Sequence, residues 1–219
     1  DLKYNTNGKV YGTRNAPVRA LFASEAGASP AAIAVSDNNA KLLTLDFDIN
    51  GNIWVGGRGG NIYRVTPDET DKKPFPFEPD IQSLRVFDGY LYAAAKTDSV
   101  QNIWRFPIVS SDSLGEAEEY YNLTANLDYQ VNAITFSADG KLFMGTDATG
   151  LNPDAVVYLT ADKSLEQWYP NVIPGPVMSL AWDTGNYLYY VKERFGDDQQ
   201  QIMKINMVQL GAPYYGRDN

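Results

Sequence analysis

Across its 219 residues the sequence carries no His and no Cys. Ser-His-Asp and Cys-His nucleophiles, thiolate and imidazole zinc sites and disulfides are therefore excluded. Any chemistry rests on carboxylates, amines, hydroxyls or an oxygen-ligated metal. Five polar residues stand out by spacing. Asn15, Arg58, Lys96, Asp147 and Glu193 each follow an aromatic by four positions, the aromatics being Tyr11, Trp54, Tyr92, Phe143 and Tyr189. Placed equivalently, the five would ring one mouth of the molecule, with Arg58 and Lys96 as its cationic half and Asp147 and Glu193 as its anionic half. Such a mouth suits a zwitterion, a peptide end or a sugar. Asp147 with Glu193 is also the pair that could act as general acid and base in a hydrolase.

Two acidic stretches, Asp147 to Asp154 and Gly196-Asp197-Asp198, could offer oxygen ligands to calcium, although neither has EF-hand spacing and loop turn chemistry accounts for both. Gly56-Gly57-Arg58-Gly59-Gly60 lacks the helix and the Lys-Ser/Thr of a phosphate-binding loop, and reads as a tight hairpin.

The elements that would position these residues repeat. In Leu45 to Gly56, apolar residues alternate at Leu45, Phe47 and Ile49, and then at Ile53 and Val55, around Asn50-Gly51, a dipeptide suited to a two-residue hairpin turn. A third strand follows at Asn61 to Val65. The same pattern recurs at Leu2 to Thr13, Leu84 to Tyr92, Ile134 to Phe143 and Leu180 to Tyr189, the last with one residue inserted at its turn. The turn glycines Gly8, Gly51, Gly89, Gly140 and Gly185 are separated by 43, 38, 51 and 45 residues. A period of about 40–50 with three or four strands per unit marks the blades of a propeller.

The expectation is an all-β, five-bladed propeller in a single domain, with about 44 residues and four antiparallel strands per blade. The blades fall at approximately 1–38, 39–80, 81–128, 129–175 and 176–219. Third strands are expected at Val18 to Phe22, Asn102 to Phe106, Val156 to Leu159 and Ile202 to Ile205. Outer strands are expected at Ala31 to Val35, Pro74 to Phe77, Glu119 to Leu123, Gln167 to Tyr169 and Pro213 to Tyr215. The repeated aromatics read as core between blades. The second-to-third loops, Gly56 to Gly60, Lys96 to Gln101, Gly145 to Asp154 and Lys192 to Gln200, and the blade-to-blade connections should share one end, and first-to-second turns the other. Ring closure is expected from packing of blade one on blade five, with pairing of the N-terminal strand beside Gln201 to Ile205 as the alternative.

Asp48-x-x-Gly51-Asn52-Ile53-Trp54-Val55-Gly56 resembles the blade signature shared by NHL, regulator-type and gluconolactonase-like propellers. The resemblance covers the chain copy by copy at superfamily level. It implies a toroid with a ligand surface at one end and implies no activity. Gluconolactonase-like members are usually six-bladed and hold a metal by Glu, Asn and Asp, a ligand set that cannot be placed in this sequence. The sialidase Asp-box is only partly echoed at Ser137-Ala138-Asp139-Gly140, without its spacer or its Trp.

A net charge of −9 disfavours nucleic acid and anionic membranes as partners. No apolar run reaches the ~20 residues of a membrane span. The expected function is a non-catalytic binding or structural module that contacts a protein or glycan at one face. It needs no cofactor, calcium being the one candidate ion. The missing Cys and the Tyr/Asn/Asp/Gly-rich composition point to an extracellular or cell-envelope setting, with the cytoplasm as the alternative. The rival reading is a carboxylate- or calcium-dependent hydrolase, lactonase-like or glycosidase-like.

Overall fold

The structure is a computed structural model that describes residues 1–14, 21–33, 35, 40–193 and 200–216. Asn15, the Gly196-Asp197-Asp198 stretch and residues 18–20 of the expected first-blade third strand lie outside the described residues. No helix occurs among the described residues. The fold class is all-β, a five-bladed β-propeller whose sheets are antiparallel and follow the chain.

Blade one contains β1 (Leu2–Tyr4), β2 (Lys9–Thr13), β3 (Leu21–Glu25) and β4 (Ala31–Ile33). Blade two contains β5 (Lys41–Phe47), β6 (Ile53–Arg58), β7 (Asn61–Val65) and β8 (Lys72–Pro76). In blade three, β9 (Asp80–Phe87) and β10 (Tyr90–Thr97) lead to a long β11 (Val100–Ser110), which pairs with both β12 (Ser113–Leu114) and β13 (Glu118–Asn122). Blade four has β14 (Val131–Phe136), β15 (Leu142–Thr146), β17 (Val156–Leu159) and β18 (Leu165–Gln167), with β16 (Gly150–Leu151) inside its second-to-third loop. That short strand pairs with β19 (Pro174–Gly175), which leads into blade five: β20 (Val177–Trp182), β21 (Tyr187–Glu193) and β22 (Gln200–Asn206).

The described chain forms two compact units, Asp1–Tyr120 together with Tyr214–Asn219, and Tyr121–Pro213. In the first unit, Trp54 is fully buried in a cluster with Ile62, Ile81, Leu84 and Val86. In the second, Phe143 is fully buried with Val156, Leu180 and Leu188. Burying an aromatic of this size removes 150–250 Å² from water, roughly 4–6 kcal/mol of transfer free energy before entropy is counted. Strand register confirms that the five aromatics are equivalent. Tyr11, Trp54, Tyr92, Phe143 and Tyr189 stand opposite Lys3, Asp46, Arg85, Thr135 and Ala181. Four of the five are buried. Tyr189 is half-buried, and in blade five Tyr190 takes the buried place.

Three expectations are corrected. The turn at Asn50-Gly51 is not a two-residue hairpin. Asp48 N–H donates to Asn52 O (3.1 Å), which closes a three-residue loop over Ile49, Asn50 and Gly51 with Gly51 at φ 78. Ile49 is therefore a turn residue, 67% exposed, and not the end of the alternation. The two-residue turn occurs in blade three, where Asp88 (φ 48) and Gly89 (φ 75) join Phe87 to Tyr90.

The segment Lys96 to Gln101 is not an open loop either. The strand pairs continue to Thr97 opposite Val100, leaving a two-residue turn. The residues Pro213 to Tyr215 form no strand. In the second unit, Ser137 bridges to Gly211, Ala138 N–H donates to Leu210 O (2.9 Å) and Ala212 N–H to Phe136 O (3.0 Å). A Cβ on Gly211 would lie 2.2 Å from the Trp182 ring, so only glycine passes there. In the first unit, Tyr214 donates its hydroxyl to Tyr4 O (3.0 Å) and meets Phe47 edge-on at 6.1 Å.

Candidate functional site

Of the five polar residues, Arg58, Lys96, Asp147 and Glu193 lie at or beside the ends of second strands. In the first unit Arg58 closes β6 and is exposed, and Lys96 lies near the end of β10. Asp80 is the first residue of β9. Arg58 Nε lies 3.7 Å from its Oδ2, and Lys96 stands opposite it in the strand register. The Arg58 half of the expected cationic patch is thus paired with a carboxylate. Solvent screening leaves such an exposed pair worth about 0–1 kcal/mol.

In the second unit Asp147 and Glu193 flank one small ladder. Asp147 follows β15 and accepts the backbone N–H of Gln130 on Oδ1 (2.9 Å), while its own N–H donates to Gln130 O (2.9 Å). Three residues later β16 begins, with Gly150 opposite Gly175 and Leu151 opposite Pro174. Glu193 ends β21, and its N–H donates to Pro176 O (3.3 Å). Direct pairing of β16 with β19 shows that the second-to-third loop and the blade-to-blade connection share an end, as antiparallel strand order requires. No hydrogen bond or ion pair joins the two carboxylates, and Asp147 is engaged by backbone. Among the described residues no group of three or more Asp or Glu could hold a metal ion.

Packing is dense beneath this ladder. A Cβ on Gly175 would fall 2.0 Å from Ala148 O, and Ile173 and Ala148 are buried. Above it, two large apolar side chains face water: Leu151 is 65% exposed and Val172 62%. A loop end with a held backbone and exposed apolar side chains is how rigid scaffolds present recognition surfaces.

A second constellation, in the first unit, was missed from the sequence. Lys3 Nζ donates to Asp46 Oδ1 at 2.7 Å, and both side chains are buried. Asp46 Oδ2 also accepts Val86 N–H (2.8 Å), while Thr44 Oγ1 accepts Leu84 N–H (3.0 Å). Polar side chains of β5 thereby satisfy the free N–H groups along the innermost edge of β9, which would otherwise be buried donors without acceptors. Arg85 donates to Leu84 O (2.7 Å). Burial, and then the neighbouring Arg85 guanidinium, push the Lys3 amine down to about 7, against the opposing pull of Asp46. The available signal was positional. Lys3, Asp46 and Arg85 stand opposite the repeated aromatics, where a polar residue on a blade face must have a partner.

An open groove of about 720 Å³ in the second unit is lined by Asn126, Asp128, Asp154, Glu166 and Gln167, with Leu165 and Val157 beneath. Gln167 Nε2 donates to Asp154 Oδ1 (2.9 Å) across it. Among the described residues no aromatic side chain lines it.

No protein-family profile matches the chain, and no curated protein matches it. Solved structures do. Virginiamycin B lyase from Staphylococcus aureus aligns with 93% of this chain and 69% of its own at 14% identity, TM-score 0.65. A protein classed as a gluconolactonase aligns with 97% of this chain and 75% of its own at 17% identity, TM-score 0.72. A chain of the nidogen/laminin complex aligns with 94% of this chain and 75% of its own at 15% identity, TM-score 0.64. At these identities the likeness is one of fold, and the fold hosts both enzymes and binding modules.

Proposed function

We propose that the protein is a non-catalytic binding module that takes a protein partner at the loop end of its second unit. The observation that carries this reading is Leu151, exposed on the β16–β19 ladder, with Val172 exposed in the turn two residues before β19. Burial against a partner would release water from both, at roughly 25 cal/mol per Å². Asp147 at the start of the same loop supplies the charge that would set orientation. The polar groove beside Asn126 and Gln167 offers hydrogen bonds suited to a glycan, but it lacks the aromatic platform on which sugar rings stack, so a protein is the better fit. An exported or envelope setting belongs to this reading. No helix among the described residues is long and apolar enough to cross a membrane.

The test is quantitative capture and cross-linking from an extract of the source cells, with the wild type and Leu151→Asp/Val172→Asp as baits. Both side chains point to water, so the double variant should fold with an unchanged melting curve. A specific protein recovered by the wild type and lost by the variant supports the reading. Equal recovery by both baits overturns it. So does turnover of a lactone or glycoside that disappears in Asp147→Asn and Glu193→Gln, which would move the protein to the hydrolase class.

A further inference from the structure

Among the described residues blade five ends at β22, and β22 is the edge of its sheet. The outer edges of the other blades are blunted in ways that discourage pairing with another chain. In β8 the sequence is Lys72-Lys73-Pro74-Phe75-Pro76, and β13 opens with Glu118-Glu119. The outer strands β4 and β18 are three residues long. By contrast β22 runs for seven residues, Gln200-Gln201-Ile202-Met203-Lys204-Ile205-Asn206, without proline and with one charge. That charge is drawn off the edge, because Lys204 Nζ lies over the Tyr187 ring, 4.9 Å from its centroid. Ile202 is 76% exposed and Met203, on the opposite face, 38% exposed.

We propose that β22 pairs antiparallel with β22 of a second copy of this chain, about a two-fold axis through Met203. The sequence is suited to this register. Met203 meets Met203, Ile202 meets Lys204, Gln201 meets Ile205 and Gln200 meets Asn206. No like charges stand opposite, and the two Lys204 residues are kept apart. Such pairing supplies the missing fourth-strand partner to each blade five, covers Ile202 and Met203 on both faces, and is closed by its symmetry so that it stops at a dimer. The proposal is independent of the Leu151/Val172 surface.

The experiment is sedimentation velocity on the full chain over a hundredfold concentration range, with amide hydrogen exchange at each end of that range. Wild type should shift from monomer to dimer, and the N–H groups of Gln201 to Ile205 on the free edge should gain protection at high concentration. Met203→Lys, which sets two ammonium groups face to face on the axis, should raise the dimer dissociation constant at least tenfold. Lys204→Gln should leave it within threefold, and Leu151→Asp/Val172→Asp should leave it unchanged. A monomer at every concentration overturns the proposal. A dimer that Met203→Lys leaves intact, or one that protects other strands instead of β22, overturns it as well.

Discussion

Removal of the Asp48 carboxylate should be among the most damaging single changes in the first unit. Asp48 is 1% exposed and accepts four hydrogen bonds. Its Oδ1 takes the backbone N–H groups of Asn50 (2.9 Å) and Asn52 (3.0 Å), and its Oδ2 takes Asn52 Nδ2 (2.9 Å) and Trp54 Nε1 (2.9 Å). Asn52 and Trp54 are themselves buried. Hydrogen bonds to a charged group contribute about 1.5–3 kcal/mol each, and buried donors left without an acceptor cost about 1–3 kcal/mol, with incomplete additivity within one network. Asp48→Ala should therefore destabilise by about 4 kcal/mol, a fall in Tm of roughly 8–16 °C for a chain of this size. Asp48→Asn should lose about half as much. Its oxygen keeps two backbone donors, while its amide faces the indole and the Asn52 side chain, which can rotate to offer its own oxygen.

The internal control is Asp183 in blade five. Among the described residues it accepts two hydrogen bonds, from the N–H groups of Gly185 (2.8 Å) and Tyr187 (3.1 Å), and it is half-buried, so Asp183→Ala should cost about 1 kcal/mol. Urea melts followed by tryptophan fluorescence and by circular dichroism give both values. If Asp48→Ala shifts the midpoint no more than Asp183→Ala at equal slope, the claim that this carboxylate anchors blade two is wrong.

Other outcomes follow from the same contacts. Asp46→Asn leaves Lys3 buried without its counter-ion and should destabilise by about 3–5 kcal/mol, whereas Arg58→Ala at the exposed Asp80 pair should change stability by about 0–1 kcal/mol; denaturant melts of both variants check the contrast. Lys3, held down to about 7 when folded, binds fewer protons in the folded than in the unfolded chain above that pH, so stability should rise from about pH 7 toward 10. Above pH 10 the order reverses. Tyr11 and Tyr92, raised mainly by burial, and Tyr158, raised mainly by its bond to Glu166, sit at about 12, so stability should fall as pH climbs from 10 to 12; a pH series of thermal melts should show that maximum, and Lys3→Met should flatten its lower flank. In Gly57→Ala the new Cβ would lie 1.9 Å from Lys41 O, a backbone atom that cannot swing aside; a loss of about 3 kcal/mol is expected, read from the yield and melting of the soluble variant.

The sequence by itself determined the blade count and the strand order, because each blade repeats the same local problem: a hairpin with a period-two apolar face, a tight turn marked by glycine (at positive φ in blades one to four), and an aromatic at a constant place. It also determined that Asp147 and Glu193 would end adjacent second strands at the end where loops meet blade connections, since strand direction alone fixes that. Three things were decided only in three dimensions. Arg58 pairs with Asp80 because β6 packs against β9 of the next blade, and no local pattern encodes that. Lys3 and Asp46 look like solvent-facing residues of alternating strands until one blade face buries them against another. The residues after β22 form hydrogen bonds with the end of β14 instead of completing blade five, since Gly211 fits beneath Trp182 and Pro213 offers no N–H to a ladder. Local repeats encode each blade, whereas a partner from elsewhere in the chain depends on which surfaces packing brings together.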